Sequence, residues 1–252
     1  MSILRIESLT KVFGGLRAID DLSFTIEPGS VHSVIGPNGA GKTTLFNLIT
    51  GVYTPTSGRV LIEEQDVSAL PTHSRAALGM SRTFQNLQIC MNMSAIENVM
   101  LGRHLHLDGR FLPSLFRLPR IVRGDREARE RCAELMEYVG LGRYINAEAS
   151  GMPYGALKRL EIARSLAAEP KLLLLDEPAA GLNASETADL DEVIHKLGQA
   201  GVTVVLVEHD MKLVMNISEH IVVLNYGKKL AEGTAAEIRR NPDVIAAYLG
   251  AA

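Results

Sequence analysis

Cysteine, excess positive charge and long apolar runs are all scarce in this chain, and each shortage narrows what it can be. Cys90 and Cys132 are its two cysteines. They lie far apart at no metal-binding spacing, so they read as free thiols of a reducing compartment rather than a disulfide framework. A formal net charge of −3 over 252 residues leaves no basic footprint for nucleic acid. The longest apolar runs, at 172–175 and 202–207, are strand-length and far short of the roughly 20 residues that cross a bilayer. The start, Met1-Ser2-Ile3-Leu4-Arg5-Ile6-Glu7, lacks the basic-then-apolar order of a signal peptide. No internal repeat or low-complexity tract occurs. What is there is 46% hydrophobic residues, enough for a large core. The expectation is a soluble, intracellular protein of one or two domains.

Against that background, Gly36-Pro37-Asn38-Gly39-Ala40-Gly41-Lys42-Thr43-Thr44 stands out. It matches G-x-x-x-x-G-K-[ST], a phosphate-binding loop. The β-branched run at 31–35 predicts a buried strand before it, and Leu45, Phe46, Leu48 and Ile49 predict a helix after it, ended by Gly51. Glycines at such a turn let backbone N–H groups and the positive helix end surround a polyphosphate. Lys42 is placed for the β- and γ-phosphates and the Thr43 hydroxyl for Mg²⁺.

Alternation predicts strands over 3–13 and 22–26, forming an antiparallel layer that 59–62 joins. Helical spacing covers 71–78, 94–104, 125–139, with Asp125 as a candidate N-cap, and 155–168. A strand over 80–84 ends at Gln85. Further on, strands at 171–175 and 203–207 alternate with a helix at 185–197, which argues for a parallel sheet with helices on both faces. The segment 221–232 reads as a hairpin, and two short helices, at 235–240 and 244–249, close the chain. Asp176-Glu177 follows the apolar strand, at the carboxyl end where ligands of open α/β sheets bind. Asp176 suits a water-mediated Mg²⁺ partner and Glu177 a group that polarises an attacking water. Between Arg103 and Arg123 lie five arginines and one acid, interleaved with apolar residues, with Pro113 and Pro119 breaking any long helix. That stretch reads either as a docking surface for a partner or anionic headgroups, or as a loop packed on neighbouring helices.

Taken together, these residues resemble an ATP-binding-cassette ATPase over essentially the whole chain. The phosphate loop resembles its Walker A motif, and 172–177 its Walker B motif. Gln85 in Arg82-Thr83-Phe84-Gln85-Asn86 looks like the glutamine loop, and His209 in Val207-Glu208-His209-Asp210 like the switch histidine that contacts the γ-phosphate. Ala180-Gly181-Leu182-Asn183 lies where the family has its dimer-contacting loop, with Asn183 in place of a common Asp. Phe13 looks like the aromatic that stacks on adenine. The resemblance implies a single P-loop NTPase cassette over 1–252, with a parallel core sheet, an antiparallel β layer and a helical subdomain inserted at about 86–168. ATP and Mg²⁺ are the cofactors it implies.

One motif departs from the family. Its usual Leu-Ser-Gly-Gly-Gln signature aligns with Met152-Pro153-Tyr154-Gly155-Ala156, so the serine hydroxyl and the terminal glutamine are missing while Gly155 is kept. In the family that serine offers its hydroxyl to the γ-phosphate on a facing cassette. A Pro-Tyr-Gly version is similar to the cassettes of branched-chain amino-acid importers, and the long stretch from His104 to Glu130 resembles the larger of the two cassettes in that system. The resemblance implies a second cassette, membrane permease subunits and an external solute-binding protein as partners, with this chain peripheral on the inner face of the membrane. Other readings are a cassette for another solute, a catalytically weak regulatory cassette, or a soluble cassette ATPase acting on DNA or ribosomes. The last class usually carries coiled-coil insertions or tandem cassettes, and neither is here.

Overall fold

The computed structural model of the chain describes residues 2–106 and 119–249. Leu4–Phe13 (β1) pairs antiparallel with Leu16–Ile26 (β2) on one side. On its other side lies Ser57–Ile62 (β4), which carries the short Gln65–Asp66 (β5). The second sheet is built on Val31–Ile35 (β3), Met80–Arg82 (β6), Leu172–Asp176 (β7), Thr203–Val207 (β8) and His220–Asn225 (β9), all mutually parallel. Lys228–Gly233 (β10) closes its edge antiparallel to β9, giving the order β10-β9-β3-β8-β7-β6. Both expected layers are therefore present. The turn between β9 and β10 has positive φ at Tyr226 (47°) and Gly227 (77°), the backbone a tight hairpin requires.

Side-chain alternation decides which face each strand residue serves. Leu173, Leu175, Val204 and Leu206 pack with the helices Ala95–Gly102 (α3), Pro119–Tyr138 (α4), Tyr154–Leu166 (α5) and Ala184–Gln199 (α6). Leu172, Leu174, Val205 and Val207 face the other way, onto Lys42–Ile49 (α1) and the antiparallel sheet. The parallel strands are buried on both faces, which explains their continuous apolar runs. Thr72–Ala77 (α2) lies between β5 and β6, and near the C-terminus Met211–Ile217 (α7), Ala235–Arg240 (α8) and Pro242–Leu249 (α9) cover β9. No helix among the described residues is long and apolar enough to cross a membrane.

Three expectations need correction. Asp125 does not cap a helix: α4 already begins at Pro119, where a proline's missing N–H and fixed φ suit the first turn. Pro119 therefore starts a helix instead of breaking one. α7 was not expected at all, although Asp210 accepts hydrogen bonds from the Lys212 and Leu213 amides and caps it clearly. Strand β2 also begins earlier than its alternation suggested, at Leu16. Most of the arginine-rich stretch lies outside the described residues. Of its members, Arg103 is held by Glu169 at 2.9 Å.

Candidate functional site

The loop 36–41 joins β3 to α1 and is shaped by close backbone approaches. A Cβ at Gly36 (φ 155°) would stand 2.2 Å from the Leu224 carbonyl oxygen, and one at Gly41 (φ 104°) 2.7 Å from that of Ala18. Only glycine satisfies both the angles and the space. The Lys42 ammonium donates to the carbonyls of Gly36 at 2.6 Å and Pro37 at 3.0 Å. Burial draws its pKa below the ordinary lysine range, while the carboxylates of Glu177 and Asp176 act in the opposite sense. α1 has no acidic residue of its own in its first turn, so the helix itself does not offset its positive end. A cavity of about 360 Å³ opens here, lined by Asn38 through Thr44, by Glu177, and by Leu16, Arg17, Ala18 and Tyr226.

Register places the two acids differently. Asp176 ends β7 with the parity of Leu172 and Leu174, on the α1 side, and is buried. There Arg82 Nη2 holds its Oδ2 at 2.6 Å, while Arg82 Nη1 bonds Asn47 Oδ1 at 2.7 Å and Thr50 Oγ1 at 3.2 Å. The guanidinium also lies over the rings of Phe46 and Phe84. Glu177 breaks the alternation through a left-handed φ of 47°. That turn puts its side chain on the phosphate-loop cavity, where Gln85 Nε2 donates to Glu177 Oε2 at 3.1 Å. Lys42, Glu177 and Gln85, far apart in sequence, are thus one cluster.

Comparison with known proteins decides the family. The ABC transporter family model matches residues 19–180. The chain belongs to the ABC transporter family. It is 50% identical over 251 residues to the high-affinity branched-chain amino acid transport ATP-binding protein BraF of Pseudomonas aeruginosa, covering 99% of this chain and 98% of that one. To LivG of Escherichia coli, named for the same transport, it is 45% identical over the same length and coverage. A crystal structure of the ADP conformation of an ATP-binding cassette superposes with a TM-score of 0.87 at 32% identity, covering 99% of each chain. A dimeric cassette bound to ADP and phosphate gives a TM-score of 0.77 at 25% identity, over 92% of this chain and 98% of that one. A model of the branched-chain amino acid ATP-binding cassette transporter matches residues 228–252. The activity of this ABC ATPase is ATP hydrolysis coupled to transport.

The remaining motifs of this cassette lie around the cluster without all touching it. Pro153 is the N-cap residue of α5, Tyr154 its first residue, and neither borders the cavity. Instead Tyr154 meets Gly181 in the loop 180–183 of the same chain, and Gly155 meets Glu186 in the first turn of α6. A Cβ at Gly181 would come within 3.1 Å of the Tyr154 ring, and one at Gly155 within 2.5 Å of Glu186 Oε1. Asn183 keeps a structural role without the family's Asp: its side chain accepts from the Ser185 and Glu186 amides and caps α6. His209 is exposed, 64% at the side chain, and its amide donates to Glu208 Oε2 at 3.0 Å. Phe13 does not line the cavity. It pairs edge-on with Tyr53 under Lys11, while Leu16, across the hairpin from it, is the cavity residue.

Several residues that organise this site have no motif to announce them. Lys158 of α5, buried, donates to the Gln85 carbonyl at 3.2 Å. Arg164 donates to the Gln88 carbonyl, and Glu161 accepts from the Gln88 amide at 3.4 Å. Burial raises the Glu161 carboxyl above its usual range. The glutamine loop is therefore laid along the signature helix. Periodicity marks α5 as a helix, yet it cannot tell that these polar positions face a loop from 73 residues earlier.

Proposed function

We propose that this ATPase powers import of branched-chain amino acids through separate membrane permease subunits. The Glu177 carboxylate carries the catalytic part of the reading, because it borders the phosphate-loop cavity and is held by Gln85. Glu177 orients and polarises the attacking water, and Gln85 sets its position. The loop from Gly36 through Asn38, Gly39, Ala40 and Gly41 into Thr43 and Thr44 holds the phosphates with its backbone N–H groups and the Lys42 ammonium, while Pro37, which has no N–H, shapes the turn. His209 contacts the γ-phosphate, and Phe13, exposed beside the cavity residue Leu16 though outside the cavity itself, stacks on adenine. Thr43 and Gln85 offer a hydroxyl and an amide oxygen, and Asp176, buried with one oxygen on Arg82, a carboxylate that would act through water, the hard oxygen donors that suit Mg²⁺. Bound there, Mg²⁺ would neutralise charge on the β- and γ-phosphates.

Pro153, Tyr154 and Gly155 at the start of α5 cap the nucleotide of a facing cassette, whose own signature helix caps the nucleotide bound here, so hydrolysis needs two cassettes. Residues of about 86–168 then act as the helical subdomain that joins nucleotide state to the membrane. A groove of about 370 Å³ runs beside the glutamine loop, with Phe84, Leu101 and Leu105 exposed along it. Such exposed apolar side chains suit a permease segment. Cytoplasmic, peripheral attachment to the inner face of the membrane follows from that docking.

The solute reading rests on the likeness to BraF and LivG and on the match at residues 228–252. Its test is uptake of leucine, isoleucine and valine by vesicles holding this chain, its co-purifying permeases and their solute-binding protein. Uptake of a different solute class alone would overturn the solute and leave the ATPase standing.

A further inference from the structure

Glu208 is a buried carboxylate that no family motif requires. Its side chain has no solvent exposure. Three backbone amides converge on it: Ala179 N donates to Oε1 at 2.7 Å, and His209 N and Asp210 N to Oε2 at 3.0 and 3.4 Å. These amides come from two loops, one leading from β7 into the dimer-contacting loop and one leading from β8 into α7. Among the described residues no lysine or arginine pairs with Glu208; the nearest basic group is His209 Nδ1 at 3.8 Å. A buried carboxylate needs its desolvation offset, and the three N–H donors do this; an apolar residue at 208 would leave those amides without this acceptor. On the other side of His209, Asp210 caps α7. The exposed imidazole therefore stands on a backbone fixed from both ends.

We infer that Glu208 is a positioning residue: it clamps the backbone of His209 to Ala179, so that the dimer-contacting loop and the switch histidine move as one unit. Engagement of residues 180–183 by a facing cassette then brings His209 into register. The chemistry requires a carboxylate with this reach. Glutamine has one acceptor oxygen and would turn an NH₂ toward an amide N–H, and aspartate is too short to span both loops. The inference rests on the γ-phosphate role proposed for His209.

The test compares Glu208→Gln, His209→Ala and the double variant in the full chain with its permease partners. Glu208→Gln is expected to lower kcat roughly tenfold or more while KM for ATP stays within about threefold, since the loss is confined to the transition state. The double variant should be no slower than His209→Ala, because residues acting as a unit are not additive. Amide exchange should rise at 179, 209 and 210 in Glu208→Gln while the rest of β7 and β8 stays protected. If Glu208→Gln does not fold, Glu208→Asp replaces it with the same expectations. Parental kcat in the Glu208 variant beside an impaired His209→Ala overturns this inference alone, as does strict additivity. Parental kcat in His209→Ala overturns both this inference and the role of His209.

Discussion

Glu177 adopts a backbone angle that a residue with a Cβ avoids, and its neighbours hold it there. Its amide donates to the Val207 carbonyl at 2.9 Å and its carbonyl accepts from Ala180 at 3.1 Å. Conformations of this kind cost about 1–3 kcal/mol and persist where the surroundings over-determine them. Here the result is a carboxylate turned from the sheet onto the phosphate loop. Glu177→Gln keeps the shape and the bond to Gln85 but removes the base. We expect it to retain ATP binding and to lose about 100-fold or more in phosphate release, the scale of a general base. Turnover within about threefold of the parent, well under the kcal/mol scale of such a base, would refute the assignment. Glu177, Lys42 and Thr43 could be read from the sequence because each sits inside a short contiguous motif. Arg82 and Glu208 could not, since Asp176 lies 94 residues from Arg82 and Ala179 lies 29 from Glu208. The cavity wall formed by Leu16, Arg17 and Tyr226 was hidden for the same reason, as it needs two separate hairpins.

Elements show the same division between local and distant determinants. The core strands and, α7 excepted, the helices between them are legible from apolar period and length, and the Asn183 and Thr234 caps follow standard chemistry. The C-terminus of α1 is different, because its cap comes from another element. Arg75 of α2 is fully buried and donates to the carbonyls of Leu48 and Ile49 at 2.6 and 2.7 Å, and to those of Leu70 and Ser68 at 2.9 and 3.0 Å. Removing it strands several buried acceptors, each worth about 1–3 kcal/mol. Arg75→Leu should therefore lower stability by about 3 kcal/mol or more, read as a Tm lower by roughly 6–12 °C for a domain of this size. An unchanged Tm would show that water satisfies those carbonyls. On β3, His32 stands opposite His220 of β9, and burial, reinforced by that neighbour, pushes its pKa down to about 4. The unfolded chain then binds this proton more readily than the native one between pH 6.5 and 4. Stability is present above that window and is lost as pH falls through it. Between pH 7.5 and 5 the His32 contribution amounts to about 2 kcal/mol. Urea unfolding of His32→Gln should be flatter over that range by this amount, and an identical slope would place the acid sensitivity elsewhere.

At the scale of the whole molecule, a two-sided sheet holds the phosphate loop and the acids Asp176 and Glu177 at the carboxyl ends of its inner strands β3 and β7, and the N-terminal end of α5 lies outside the phosphate-loop cavity. What that end lacks bears on assembly. Pro153 sits at the N-cap with φ −60° and ψ 153°, where a serine would fit without moving the chain. Proline supplies neither a hydroxyl nor an N–H, so one hydrogen bond to a charged phosphate is missing, about 1.5–3 kcal/mol. The helix end still favours an anion through its free amides. A homodimer suffers the loss at both nucleotides, whereas a pair with a cassette bearing an intact signature suffers it at one. The working unit we expect is therefore a heterodimer, with weak self-association around ATP. Pro153→Ser in the Glu177→Gln background should tighten ATP-dependent homodimerisation roughly tenfold or more, measured by sedimentation. A serine N-cap also stabilises α5 itself by about 1 kcal/mol, so the comparison must be made with and without ATP. The predicted gain appears only with nucleotide, while a cap effect appears in both. If the parent already dimerises with ATP as tightly as the variant, the missing hydroxyl is immaterial and two identical chains can form the working pair.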